Sequence, residues 1–245
     1  MKHAGQARRA ALKLIFLTWL VLTLIGVIVL VFCAWLPNVI YVLGPSAYWL
    51  FYIIKPAQLT IGALAALWIL FVLFTLYFFR DPNASVPAAP GVVVSPGHGK
   101  VDFVDQLADS VFMGGPCHRI SIFLSVINVH VQNAPISGKV SCVVHTAGKF
   151  ISALEADSAK FNENVLIGFD SSETPGEKIG LRLIAGVLAR RIVPFVKVGD
   201  EVARGDRISL IQFGSRCDLY LPLQYKIPVK LGDKVVGGET IMAAK

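Results

Sequence analysis

The chemistry available to this chain rests on few side chains. His130 stands in FLSVINVHVQNAP, an alternating, strand-like run that ends at a proline turn. An imidazole titrates near neutrality and suits proton transfer, but on pattern alone a lone strand histidine is more often a structural residue. The other imidazoles are His3, His98, His118 and His145. Ser215, in IQFGSRCDLYLP, reads by itself as a turn serine ahead of a strand. Cys33, Cys117, Cys142 and Cys217 form no CxxC pair, so neither a disulfide framework nor a zinc site is expected, and a reducing compartment follows. There is no Gly-rich phosphate loop, HExxH or GxSxG elbow.

The elements that must position these groups fall into two parts. Hydrophobic residues make up 55% of the 245 and charged residues 16%, which excludes a disordered chain and points to a membrane protein. The formal charge of +7 is uneven: residues 1–80 carry six basic side chains and no acid, and the rest is nearly balanced. The positive charge therefore flanks apolar segments and does not form a nucleic-acid-reading patch. Leu14–Leu36 gives 23 uncharged residues and Leu59–Phe79 another 21, each enough to cross about 30 Å of hydrocarbon as a helix. Between them lie Tyr41, Tyr48, Trp49 and Tyr52, interfacial aromatics, with Lys55 the one charge. Four Lys/Arg precede the first run and Arg80 follows the second, so the positive-inside rule puts both termini in the cytoplasm. Residues 1–80 are thus a two-helix membrane anchor (helices at about 14–36 and 59–79), with the remainder on the cytoplasmic face of the cell membrane.

DPNASVPAAP, residues 81–90, reads as a linker, and 91–245 as a mainly β domain of short runs divided by glycine and proline. VKVGDEVARGDRISLI from Val196 and VKLGDKVVGGETIMAA from Val229 form an internal repeat, each half a strand, Gly-Asp turn, short strand, second turn and strand. The pattern resembles the barrel-sandwich of lipoyl and biotinyl carrier domains. A carrier would hold a lysine at the connecting tip; this chain has Phe213, Gly214, Ser215 and Arg216 there.

FFRDP (Phe78–Pro82), VVSPGHGKV (Val93–Val101), RISIFLSVINVHVQNAPISGKV (Arg119–Val140), GKF (Gly148–Phe150), IAGVLARRIV (Ile184–Val193) and FGSRCDLYLP (Phe213–Pro222) together resemble phosphatidylserine decarboxylase in its short, prokaryotic form. The resemblance implies a zymogen that cuts its own chain between Gly214 and Ser215. The serine hydroxyl would attack the preceding carbonyl, and elimination from the resulting ester would leave dehydroalanine, which hydrolyses to a pyruvoyl group and ammonia. That ketone would form a Schiff base with the substrate amine and act as electron sink while carbon dioxide leaves, giving phosphatidylethanolamine. His130 would then be the general acid/base, and the large and small chains of one precursor would stay together. The substrate, phosphatidylserine, would be met in the bilayer.

The family's usual S-P-A-D-G is here Ser95-Pro96-Gly97-His98-Gly99, and its D-x-H-x-N-R is Asn128-Val129-His130-Val131-Gln132-Asn133. His98 therefore stands where the family has the aspartate of self-cleavage, with slower processing expected, and Asp102 is a second candidate to support the cut. Arg190, Arg191, Lys197 and Arg216 are candidates for the headgroup phosphate. The alternative is a non-catalytic, uncleaved membrane adaptor, or a degenerate family member, with the same lipoyl-like sandwich domain.

Overall fold

The computed structural model describes residues 2–44, 51–108, 112–149, 161–186, 191–212 and 215–245. Two compact units result: Arg8–Tyr77, and a second made of residues 1–7 with Phe78–Lys245.

The first unit is helical. α1 (Gln6–Leu43) and α2 (Phe51–Phe78) contain segments long and apolar enough to cross a membrane, Gln6–Trp35 and Thr60–Phe78. Both helices outrun the uncharged stretches. α1 takes in the basic turn before Leu14 and continues past Pro37, because helical hydrogen bonding does not stop where hydropathy falls. Trp68 Nε1 donates to Thr18 Oγ1 at 3.3 Å, a polar tie between the two helices.

The second unit is antiparallel β. Its strands are β1 (Val92–Val94), β2 (Gly99–Leu107), β3 (Cys117–Leu124), β4 (Val131–Asn133), β5 (Gly138–Thr146), β6 (Asn164–Ser171), β7 (Lys178–Ala185), β8 (Arg191–Pro194), β9 (Glu201–Val202), β10 (Arg207–Gln212), β11 (Ser215–Leu221), β12 (Lys234–Val235) and β13 (Ile241–Ala244). Eight of them form a curled half-barrel in the order β12-β2-β3-β11-β7-β6-β5-β9; β4-β10-β8 and β1-β13 make two smaller sheets. Val101, Ile120, Ile122, Leu181, Leu183, Ile208, Cys217 and Leu219 are among the side chains of one continuous core.

The repeat read at offset 33 builds matching turns. Asp200 Oδ2 accepts from the Lys197 amide at 2.9 Å and Asp233 Oδ2 from the Lys230 amide at 2.8 Å. Gly199 and Gly232 take φ of 93° and 95°, the left-handed region where a Cβ is costly. A second repeat, SPGHGKV (Ser95–Val101) against APISGKV (Ala134–Val140), receives these turns and has no counterpart in the sequence reading. The Val101 amide donates to Asp233 O at 2.9 Å, and the Val140 amide to Asp200 O at 2.8 Å. β2 and β5 each carry a bulge at the matching place, Val101/Phe103 and Val140/Cys142. The two halves then cross-bond: the Val94 amide donates to Pro135 O at 2.9 Å and the Asn133 amide to Pro96 O at 2.8 Å. The β unit is a quasi-twofold pair of motifs meeting along β11 and β7.

Residues 81–90 hold no helix or strand, yet they are not a free tether. Arg207 Nε donates to both oxygens of Asp81 at 2.6 and 2.7 Å and Arg207 Nη2 to Asn83 Oδ1 at 3.0 Å. The Ser85 amide donates to Glu239 Oε1 at 2.9 Å, and Arg204 Nη1 to Ala89 O at 2.6 Å. The segment is a strap laid along the β unit. At the other end of the chain, the Lys2 amide donates to Asp206 Oδ1 at 2.9 Å.

Candidate functional site

Ser215 opens β11 and is fully buried, register-paired with Leu124 on β3 and Ala185 on β7. Its Oγ is sealed from solvent and has no hydrogen-bond partner among the described residues, an arrangement that costs about 1–3 kcal/mol and calls for an explanation. β10 ends at Gln212 in the three-stranded sheet, so only Phe213 and Gly214 separate a strand of one sheet from a strand of another. Phe213 and Gly214 themselves, like Arg190, lie outside the described residues.

Two histidines are delivered to this switch between sheets. His130 precedes β4, which pairs with β10, and its carbonyl accepts from the Ile211 amide at 3.1 Å and from Gln132 Nε2 at 2.6 Å. The imidazole is buried. Its Nδ1 lies 2.9 Å from Asn128 O; a carbonyl only accepts, so Nδ1 carries the proton and Nε2 the lone pair. A tight turn fixes that carbonyl: the Ser125 hydroxyl and amide both donate to Asn128 Oδ1, at 2.6 and 2.9 Å. The Phe78 ring covers the imidazole with centroids 4.3 Å apart. Burial, reinforced by the positive charge of Arg80 and by the neighbouring His98 ring, which competes for the same proton, holds the His130 pKa down at about 4 despite the raising effect of Asn128 O.

His98 sits on the loop between β1 and β2. A Cβ on neighbouring Gly97 would lie 3.4 Å from Cys217 Sγ and 3.6 Å from Leu124, so the loop rests on the side chains that flank Ser215. A Cβ on Gly237 would lie 2.8 Å from His98 Nε2 and 2.7 Å from Asn133 Oδ1; only glycine admits this approach. Burial also lowers the His98 pKa to about 4; Glu239 and Asp81 oppose the shift and Arg80 adds to it. Both rings are neutral at pH 7, so each can accept a proton.

The remaining sequence candidates lie elsewhere. Asp102, on β2, is governed by Arg216 and Asp218, the alternate face of β11 from Ser215 and Cys217. Its carboxylate has no well-formed hydrogen bond among the described residues, and burial raises its pKa to about 6, the pull of Arg216 and nearby amides being outweighed. Arg216 is not a solvated headgroup ligand: it is fully buried, bonded to Asp218 at 2.8 and 3.0 Å and stacked over Phe103 at 5.4 Å. Arg191 and Lys197 are exposed. Phe78, Arg80 and the Ser125–Asn128 turn were missed as site residues, although Phe78 and Arg80 open the FFRDP block. Among the described residues no group of three or more His, Cys, Asp or Glu gathers to hold a metal.

A family model described as phosphatidylserine decarboxylase matches residues 71–243. A phosphatidylserine decarboxylase proenzyme of Desulfotalea psychrophila is 44% identical over 179 residues, covering 73% of this chain and 83% of its own. Proenzymes of the same name from Symbiobacterium thermophilum and Oleidesulfovibrio alaskensis are 39% and 40% identical, over 69% and 74% of this chain and 78% and 82% of theirs.

Proposed function

This chain belongs to the phosphatidylserine decarboxylase family, and from that premise we propose that it is a membrane-held proenzyme which cuts itself before Ser215 to create a pyruvoyl group. It is a carboxy-lyase, and its reaction converts phosphatidylserine to phosphatidylethanolamine and carbon dioxide. The relatives' names give no support to an adaptor.

Position carries the choice of Ser215: its sealed hydroxyl has no partner among the described residues, as is also true of Ser121, Ser141 and Ser209, but of these four it is the one that follows a glycine, at the point where the chain leaves one sheet for another. An attacking serine must keep its lone pairs for the carbonyl of Gly214. Glycine at 214 leaves that carbonyl uncrowded. The attack needs a base for the hydroxyl proton, and neutral His98 and His130 are the imidazoles brought to this region, with His98 on the loop packed beside Leu124 and Cys217.

The residues present fit a pyruvoyl group at 215, which has no hydroxyl to satisfy and is bounded by Leu124 and Ala185. Its ketone would supply the electron sink for loss of carbon dioxide. The work of the chain's own groups is then proton handling: Nε2 of His130 takes up a proton and returns it to the substrate carbon, with Nδ1 locked on Asn128 O so that the ring cannot turn. The apolar spans support a bilayer location, and the uneven basic charge supports a catalytic unit on the cytoplasmic face.

Denaturing mass spectrometry of the purified protein tests the reading. The expected small chain is residues 215–245, 31 residues with a blocked pyruvoyl terminus, and Ser215→Ala is expected to leave one uncut, inactive chain. Wild-type protein that is wholly intact would overturn the assignment of the cut.

A further inference from the structure

We propose that Arg80 grips the phosphodiester of the aminophospholipid substrate and so holds its serine headgroup against the His98–His130 face; the proposal rests on the decarboxylase reading above.

Three observations converge on this side chain. The first is depth. Arg80 is the first charge after the uncharged run Leu59–Phe79 and lies two residues beyond the end of α2. A cation at that point stands where hydrocarbon gives way to headgroups, the level of the lipid phosphate.

The second is its fixed place in the site. Two residues before it, Phe78 lies on the His130 ring; one residue after it, Asp81 is clamped by Arg207. Arg80 Nη2 also donates to Ile127 O at 2.7 Å, on the same turn whose Asn128 carbonyl orients His130. The guanidinium is therefore held within the setting of the catalytic imidazole.

The third is charge. Arg80 acts electrostatically on both His98 and His130, and the other charged groups acting on His98 are the carboxylates of Asp81 and Glu239. With both imidazoles neutral, Arg80 is the positive group that this cluster offers to an anionic headgroup. Guanidinium suits a phosphodiester because it donates two parallel hydrogen bonds to it.

The test uses full-length Arg80→Gln and Arg80→Lys in detergent–phosphatidylserine mixed micelles, with the extent of cutting measured first by mass spectrometry. Arg80→Gln is expected to be cut normally, to raise the apparent KM by about 10- to 100-fold, and to keep kcat within about threefold, with Arg80→Lys between. Inhibition by phosphatidylethanolamine, which keeps the phosphodiester and lacks the carboxylate, should weaken by the same factor as KM rises. An unchanged KM overturns the proposal. So does a fall in kcat alone, which would make Arg80 a support for the Ile127 turn, and so does a raised KM with unaltered product inhibition, which would assign Arg80 to the carboxylate. If Arg80→Gln is not cut, the comparison moves to a Ser215→Ala background and reads equilibrium binding of phosphatidylethanolamine in micelles. At least tenfold weaker binding supports the proposal there, and equal binding ends it. Wild-type protein that is cut yet turns over no phosphatidylserine overturns the decarboxylase reading and this proposal together, whereas normal turnover with an unaffected Arg80→Gln overturns Arg80 alone.

Discussion

Phe78 and His130 lie ring on ring, centroids 4.3 Å apart and planes tilted by 30°. The residue that ends α2 is thus the lid that keeps the imidazole dry, and it belongs to the same compact unit as the histidine it covers.

If His130 moves the proton, His130→Ala should lose decarboxylation by about 10²–10⁴-fold while remaining folded. Phe78→Ala should let water reach the ring and raise its pKa from about 4 towards the ordinary 6.5. The acid limb of the rate profile should then shift upward in pH. Superimposable profiles for Phe78→Ala and wild type would sink the connection.

The pH dependence of stability follows from three groups. His98 and His130 have folded pKa values of about 4, below the unfolded 6.5, so between those values the unfolded chain binds protons that the folded chain refuses. Each ring therefore costs stability as pH falls through that window, reaching roughly 3 kcal/mol. Asp102 acts the other way: its pKa rises from 3.8 to about 6, so the folded chain binds the extra proton and gains stability over nearly the same fall. Two losses against one gain leave net acid destabilisation between pH 6.5 and 4. Thermal melts across that range check it, and Asp102→Asn should steepen the decline.

The Arg216–Asp218 pair has no solvent access on either side chain. Asp218→Asn should leave a buried, uncompensated guanidinium and cost about 3–5 kcal/mol in urea unfolding. Replacing both members with apolar residues of similar volume should recover most of that loss. A mild effect of the single change would show that the pair is wetter than its geometry indicates.

The quasi-twofold halves make a paired prediction. A Cβ at Gly99 would lie 2.1 Å from Phe123 O, and one at Gly138 would lie 2.1 Å from Asp170 O. Both contacts are with backbone that cannot step aside. Gly99→Ala and Gly138→Ala should each cost more than about 3 kcal/mol. Gly199→Ala meets open space and only a strained φ of 93°, for about 1–2 kcal/mol. Equal losses at all three positions would break the argument.

Topology is checked at the strap. Ser85 is exposed and its amide is the group that bonds Glu239, so Ser85→Cys should label freely once the membrane is breached and stay silent to an impermeant reagent in intact cells. Labelling from outside would reverse the orientation.

Much of this was legible in the sequence because it depends on local rules. Uncharged runs of 21 and 23 residues announce helices, and paired Gly-Asp turns at offset 33 announce matching β corners. The Gly214–Ser215 pair stood out through the block around it. Partnership across the sheet was less accessible. SPGHGKV and APISGKV share four of seven letters, too short a match to stand out in a chain of this length, and their parallel hydrogen bonds to the two turns reveal them as equivalents. Residues 81–90 have a linker's composition, and it takes distant Arg204, Arg207 and Glu239 to pin them. Asp102 is four residues from His98 along the chain, but strand alternation and the bulge at Val101/Phe103 hand it to Arg216 and Asp218 instead.

β11 lies between β3 and β7, near the middle of the eight-stranded sheet, while β12 and β13 clasp β2 and β1. A cut before Ser215 would therefore leave a 31-residue peptide woven through its parent, surrounded on both edges by strands of the larger piece. Before the cut, folding is unimolecular, and the effective concentration of β11 for its slot is set by the chain itself. After it, an unfolded molecule could regain its structure only by a second-order encounter between two fragments. Processing would thus convert a reversible fold into one whose loss is permanent at cellular dilution, so that the working lifetime of each enzyme molecule is governed by its unfolding rate and not by its folding equilibrium.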